Sequence, residues 1–384
     1  MTNSSTRFLL LAFAVLTAAC GDSFDPSHMA PSFAAVGVPS SITLDQAEAA
    51  VDIGVGTAAG GTHVGKEFDA NPHLGDAIVV TFVWRGTSNT ITTVTDHLED
   101  GTPVGNTYTL VDYATSGGWS MATYVATNVG NFPDPAPTPD KNLAVHAIFS
   151  DAITDAGEMI TAYRGVNPLL TAALGAHRTA SGSGSTSTIA DPGAISLDAG
   201  ALAYGFTMAS APADLADAPG FAPITATWNS TDKIEGQYTV ASAAGPVDPQ
   251  WTWSFQNPTT WFASVMALNP QTATHVAFRV QPSFTLLPGQ AITPAVQVAV
   301  LDDQGNTVSG FVGSVTVALG HDGSLLQNAR LSGTLVVDVV NGVATFPNLS
   351  LDQAGMGYTL QASASGLTAA TSSPFNVTVP VTIP

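Results

Sequence analysis

Side-chain chemistry needs a nucleophile beside a base, two carboxylates across a cleft, or donors at metal-ligand spacing. The 384-residue chain offers only thin versions of each. Gly118-Trp119-Ser120-Met121-Ala122 comes near a G-x-S-x-G elbow. That motif works on a strand-to-helix turn, and here the next residues continue as strand, so Ser120 is not expected to be a nucleophile. H-E-x-x-H, paired C-x-x-C, phosphate-loop and dinucleotide motifs are absent from the sequence. His63 and His73 lie ten apart with Glu67 and Asp69 between them. This is either a zinc set or a solvated polar loop, and the loop is the commoner case. His146 sits inside an apolar run and reads as a strand histidine. With 24 Asp and 5 Glu, pairs such as Glu67 with Asp69 or Asp96 with Glu99 are easy to find, and none stands out. The expectation is no catalytic residue, no metal ligand set and no enzyme. Calcium is the one cofactor worth naming, because residues 96–100 and 151–158 supply hard oxygen donors. Neither stretch has EF-hand spacing. Trp251, Trp253 and Phe255 alternate, so they share one face of a strand. They are a candidate ligand platform for stacking on sugar rings or, more commonly, a core stripe.

Composition narrows the setting. The formal charge is −20, with 9 basic against 29 acidic residues. Nucleic-acid binding needs a basic patch and is not expected. Only 10% of residues are charged, while 36 Gly and 25 Pro favour strands and turns over helices. At 45% hydrophobic, the chain has material for real cores.

The N-terminus reads as an export signal. Arg7 precedes the apolar run 8–16 (FLLLAFAVL), then Thr17-Ala18-Ala19 and Cys20, the only cysteine. The run is too short for a bilayer span and suits a secretory segment. Leu16 to Cys20 resembles a bacterial lipobox, with Thr17 departing from the pattern. The resemblance implies that Cys20 is lipidated and that the mature chain is held at a membrane. The alternative is an ordinary signal peptide cut nearby, with a secreted product. Residues 21–40 are small, polar and Pro-containing, as in a flexible linker.

Residues 41–378 read as all-β. Short apolar or alternating runs fill residues 41–270: 76–84, 90–95, 106–111, 119–125, 142–149, 159–163, 202–207, 237–241, 251–255 and 261–268. Such spacing predicts a sandwich or jelly roll. Residues 44–51 and 169–174 are the two stretches that could be short helices. Residues 130–141 and 180–194 read as surface loops. Seven more strands fall between 274 and 378, which is immunoglobulin-sandwich arithmetic. There the turn Asn341-Gly342 favours a tight hairpin. The runs VAVLDDQGNTVSGFVGSVTVALG and NGVATFPNLSLDQAGMGYTLQASASGL resemble a bacterial Ig-like repeat, which implies a stalk or spacer module. GDAIVVTFVW, TDHLEDGTPVGNTYTL, YRGV and WTWSFQNPTTWFASVMAL more loosely resemble a jelly-roll-like module of exported bacterial proteins, which implies fold and location only.

The expected arrangement is a signal peptide with lipobox (1–20), a linker (21–40), a jelly-roll-like β-sandwich (41–270) and an Ig-like β-sandwich (274–378). The expected function is a non-catalytic lipoprotein facing the cell surface or periplasm, in the outer membrane or on the cell surface, acting in adhesion, binding or structure. Its partners would be the membrane, through Cys20, and a glycan or surface-protein ligand. A carbohydrate-binding protein using an aromatic face is the alternative, and a secreted hydrolase the second.

Overall fold

The computed structural model describes residues 38–39, 42–51, 61–134, 141–184, 187–211, 213–254, 259–283 and 285–379. The chain is all-β: antiparallel sheets account for nearly all regular structure.

Eight strands build the first half of the jelly-roll-like region: β1 (Thr43–Val51), β2 (Gly61–Glu67), β3 (Ala77–Arg85), β4 (Ile91–Leu98), β5 (Thr109–Ser116), β6 (Trp119–Ala126), β7 (Leu143–Ile153) and β8 (Ala156–Arg164). They form a five-stranded sheet, β1-β8-β3-β6-β5, facing a three-stranded one, β2-β7-β4. A single helical turn at Leu170–Ala173 leads into eight more: β9 (Leu174–Gly184), β10 (Ser187–Ala190), β11 (Leu202–Ala209), β12 (Asp214–Ala216), β13 (Ala222–Trp228), β14 (Lys233–Val240), β15 (Trp251–Ser254) and β16 (Thr259–Leu268). Their sheets are β9-β16-β11-β14-β13 and β10-β15-β12. Adding eight to each strand number converts the first arrangement into the second. The jelly-roll-like region therefore carries one eight-stranded topology twice, and the second copy adds a short antiparallel pair, Ile195–Leu197 with Gly245–Val247, outside that topology.

The burial pattern explains how the halves join. In β3, Ile78, Val80, Phe82 and Trp84 face the first three-stranded sheet. Val79 and Val83, with Met121, Val125, Met159 and Tyr163, pack instead against Tyr204, Phe206, Met208, Phe262 and Met266 of the second five-stranded sheet. The two larger sheets are thus back to back. Strands such as β3, β11 and β16 are buried on both faces, so apolar side chains occur at both parities and the sequence runs apolar without alternation. One polar contact crosses the seam: the Thr81 hydroxyl lies 3.0 Å from that of Thr123 and 3.1 Å from that of Tyr204.

Two expectations change. Residues 44–51 form strand β1 rather than a helix. A bulge between Leu44 and Gln46 breaks the two-residue alternation that would have marked them as strand. Much of 180–194 is also strand, because β9 pairs with β16 along its length. Gly182 lies under the Trp261 ring, where a Cβ would come within 2.8 Å of the indole. A glycine-rich stretch therefore serves as a strand that a large aromatic covers.

The last sandwich comprises β17 (His275–Val280), β18 (Thr285–Leu286), β19 (Val296–Leu301), β20 (Ser314–His321), β21 (Val336–Asp338), β22 (Val343–Phe346), β23 (Gly355–Ser363) and β24 (Phe375–Val377). Its sheets are β17-β19-β22 and β18-β24-β23-β20-β21. A three-stranded sheet faces one built on β20, β23 and β24, an arrangement of the immunoglobulin-sandwich type. Asn341 and Gly342 both have positive φ, 49° and 76°. Val340 and Val343 exchange 3.0 Å hydrogen bonds across them, as a tight hairpin turn requires. At the junction with the preceding region, Gln271 donates its Nε2–H to Asp302 Oδ2 at 2.9 Å, and both residues are buried.

Candidate functional site

Cys20 and Phe255 lie outside the described residues. Trp251 and Trp253 share a face of β15, as the alternation required, and both are wholly buried. Trp253 donates its indole N–H to Thr207 Oγ1 at 3.0 Å. The Trp251 ring covers Gly205. These rings serve packing between β11 and β15. The calcium-type loops are also engaged internally. Asp96 accepts from the backbone of Gly105 and Asn106, from Asn106 Nδ2 and from the Tyr108 hydroxyl. Asp100 pairs with Lys141, and Glu158 points into the core. Ser120 donates to the Gly86 carbonyl at 2.6 Å and is buried. His146 stacks on His97 at 4.1 Å between ring centroids. Burial, followed by the charges of His97 and His63, pushes it down to about 4.

His63 and His73 do not meet. His73 belongs to a different constellation, built from the loop between β2 and β3 and from the edge strand β1. Pro72 and Gly75 bend this loop so that the His73 backbone N–H points at two carboxylates. It lies 3.1 Å from Asp45 Oδ2 and 3.1 Å from Asp76 Oδ2. The His73 ring Nδ1 stands 2.9 Å from the same Asp45 oxygen. Arg164, at the end of β8, reaches Asp45 Oδ1 at 3.4 Å. Gly75 N–H to Val129 O at 2.8 Å and Val129 N–H to Asp76 O at 3.0 Å fix the loop to the sheet.

The two carboxyls have opposite environments. Asp76 is 1% exposed. Burial, then the hydrogen bond and charge of Asp45, push it up to about 8. Burial also works to raise Asp45, but hydrogen bonds from His73 and Asp76 and the charges of His73 and Arg164 outweigh it and hold Asp45 below the ordinary aspartate value. Asp76 Oδ1 is buried without a hydrogen-bond partner.

His73, Asp76 and Arg164 of this constellation line a cleft of about 530 Å³, with Asp45 behind them. The jelly-roll-like region contributes His73, Asp76 and Arg164, and the last sandwich contributes Arg279, Asn306 and Asn341. Two of the nine basic residues in the chain therefore face one cleft. Among the described residues, Asp45, His73 and Asp76 are also the only set of three or more His, Cys, Asp or Glu that brings candidate metal-ligand atoms within 4.8 Å of one another. Sequence spacing singled out His73 but paired it with Glu67 and Asp69. Its real partners include a residue 28 positions upstream on another strand, and no local spacing announces that.

A second polar group lies in the other half. Gln237 donates Nε2–H to Asp217 Oδ1 at 2.9 Å and to Glu235 Oε1 at 2.8 Å. Burial raises Glu235, and the neighbouring Asp217 carboxyl adds to the effect, while Gln237 and Lys233 oppose it. Lys233 Nζ sits 5.9 Å from the ring of Trp228, which is 64% exposed. Trp228 on β13, rather than the β15 pair, is a large aromatic open to solvent.

No protein-family model matches the chain, and no curated protein matches it.

Proposed function

We propose that this chain is an exported, membrane-tethered binding protein without catalytic activity. Its doubled jelly-roll region and last sandwich together present a polar cleft to a ligand. The observation that carries the reading is the cleft lined by His73, Asp76, Arg164, Arg279, Asn306 and Asn341. It mixes cationic, anionic and amide groups drawn from both sides of a junction, the usual setting of a binding pocket. Arg164 is oriented by Asp45, while Arg279 is exposed on β17. A polar ligand with an anionic group fits this lining. Lipidation of Cys20 would hold the cleft near a membrane, and the spacer would end before Val38, because Val38 and Pro39 pair with Ala273 and Thr272 rather than belonging to a linker that runs to residue 40.

The test has two parts. The purified chain is screened on glycan and small-anion panels, and Arg279→Ala and Asn341→Asp, the latter keeping a residue that tolerates positive φ, should lose retention of any hit without loss of fold. Retention that survives both changes would remove the cleft from the reading. Separately, Cys20→Ser should release the chain from membranes; a variant that stays membrane-bound would remove the lipid tether.

A second reading has its own observation. Exposed Trp228, with Lys233 Nζ 5.9 Å from its ring, offers the flat apolar face and a neighbouring hydrogen-bond donor of the kind sugar recognition uses. Under this reading the carbohydrate platform is the edge strand β13, and Trp228→Ala, rather than Arg279→Ala, abolishes glycan retention.

A further inference from the structure

We propose that Asp45, His73 and Asp76 form a binding site for one divalent transition-metal ion, of the zinc or manganese class, at the wall of the junction cleft. The inference rests on the reading of that cleft as the binding locus and adds a cofactor to it.

Geometry comes first. The His73 ring nitrogen and Asp45 Oδ2 are 2.9 Å apart, and an Asp76 oxygen lies within 4.8 Å of both. Ligand atoms at zinc distances of about 2.0–2.1 Å in a tetrahedron stand roughly 3.3 Å from one another, so small side-chain rotations convert the present contacts into a coordination edge.

An independent observation comes from Asp76 itself. Its side chain is 1% exposed and its Oδ1 has no hydrogen-bond partner. A buried acceptor left without a donor costs about 1–3 kcal/mol, and native structures keep such groups for a reason. A cation bound through Oδ1 would supply the missing partner.

The surroundings suit an ion as well. Arg164 holds the far oxygen of Asp45 at 3.4 Å, which turns the near oxygen towards His73, the part an outer partner plays at a metal centre. One imidazole with two carboxylates selects zinc- or manganese-type ions over calcium, which takes oxygen ligands, and over copper(I), which prefers sulfur. Three protein ligands leave a coordination position for an exogenous group. His73 and Asp76 both line the cleft, so that position opens towards it. An anionic group entering between Arg164 and Arg279 would meet the ion there.

The experiment uses tag-free chain, stripped with chelator and titrated with ZnCl₂ and, separately, MnCl₂ by calorimetry, with thermal melts in parallel. One equivalent should bind and raise the melting temperature. His73→Ala changes a partly exposed side chain and should fold normally, yet weaken binding by more than about tenfold. Asp76→Asn should do the same, and its melt without metal shows whether the fold survives. Wild-type chain that takes up neither ion, or variants that bind as well as wild type, would overturn the proposal. The cleft reading stands or falls separately: ligand retention that depends on Arg279 in metal-free protein would leave the cleft intact while the metal site fails.

Discussion

Glu158 offers the sharpest test of how this fold tolerates its own polar groups. It lies on β8 opposite Phe82 of β3 and is wholly buried, with neither carboxyl oxygen hydrogen-bonded. Its inward-facing neighbours on β8 are Ala156 and Ile160 in the first core. Burial pushes its carboxyl well above the ordinary glutamate value, and the charge of Lys66 only partly opposes this. The folded chain therefore holds this proton more tightly than the unfolded chain. Below about pH 4.5 both states are protonated and Glu158 makes no pH-dependent difference. As pH rises past that point the unfolded state ionises first, and folding loses about 1.4 kcal/mol per unit until the folded carboxyl also titrates. Glu158→Leu removes both the titration and the orphaned acceptors at similar volume. It should raise stability at pH 7 by at least about 1–3 kcal/mol, the cost of an unsatisfied buried polar group, and the gain should shrink towards pH 4.5. Urea unfolding followed by tryptophan fluorescence is the assay. All six tryptophans lie between positions 84 and 261, so the signal reports this region and not the last sandwich. Trp84, whose ring meets Phe149 at 5.2 Å, is a reporter in the same core. A Leu variant less stable than wild type at pH 7, or a difference that does not grow with pH, would refute the reasoning.

Trp253→Ala should cost roughly 3–5 kcal/mol, as large aromatic deletions in cores do, and it leaves the Thr207 hydroxyl without its indole donor; an unchanged urea midpoint would contradict the core assignment. Asp302 accepts from the backbone of Gln304 and Asn306 and from the side chains of Asn306 and Gln271. Burial pushes its carboxyl up, but these hydrogen bonds outweigh it and hold it below the ordinary value. Its stabilisation is therefore present above about pH 3.8 and lost as pH falls through the folded value, so Asp302→Asn should destabilise the chain by about 1–3 kcal/mol at pH 7 and less below pH 3. Residues 274–378 expressed alone should give a β-type circular dichroism spectrum and a cooperative melt, because their apolar side chains close a core of their own; a gradual, non-cooperative melt would show that the sandwich depends on its neighbour.

Local sequence was enough for the all-β class, most of the strands and the Asn341-Gly342 hairpin. Low charge and abundant Gly and Pro disfavour helices, and a turn needing two positive φ angles selects Asn-Gly. It was enough, too, to mark residues 76–84 and 261–268 as strands, and apolar side chains at both parities in them leave no face for water. What covers the second face is a tertiary matter, and here each five-stranded sheet is covered by the other. The Trp251/Trp253 stripe shows the same limit. Alternation places two rings on one side of a strand, but only the sheet packed against that side makes them core rather than platform. The Asp45–His73–Asp76 cluster was the least legible, because β1 and the loop before β3 meet only when β1 adds to the edge of the sheet beside β8. Side-chain periodicity is set by the backbone over a few residues, whereas the meeting of distant carboxylates is set by which strand edges pair, and sequence spacing carries no record of that.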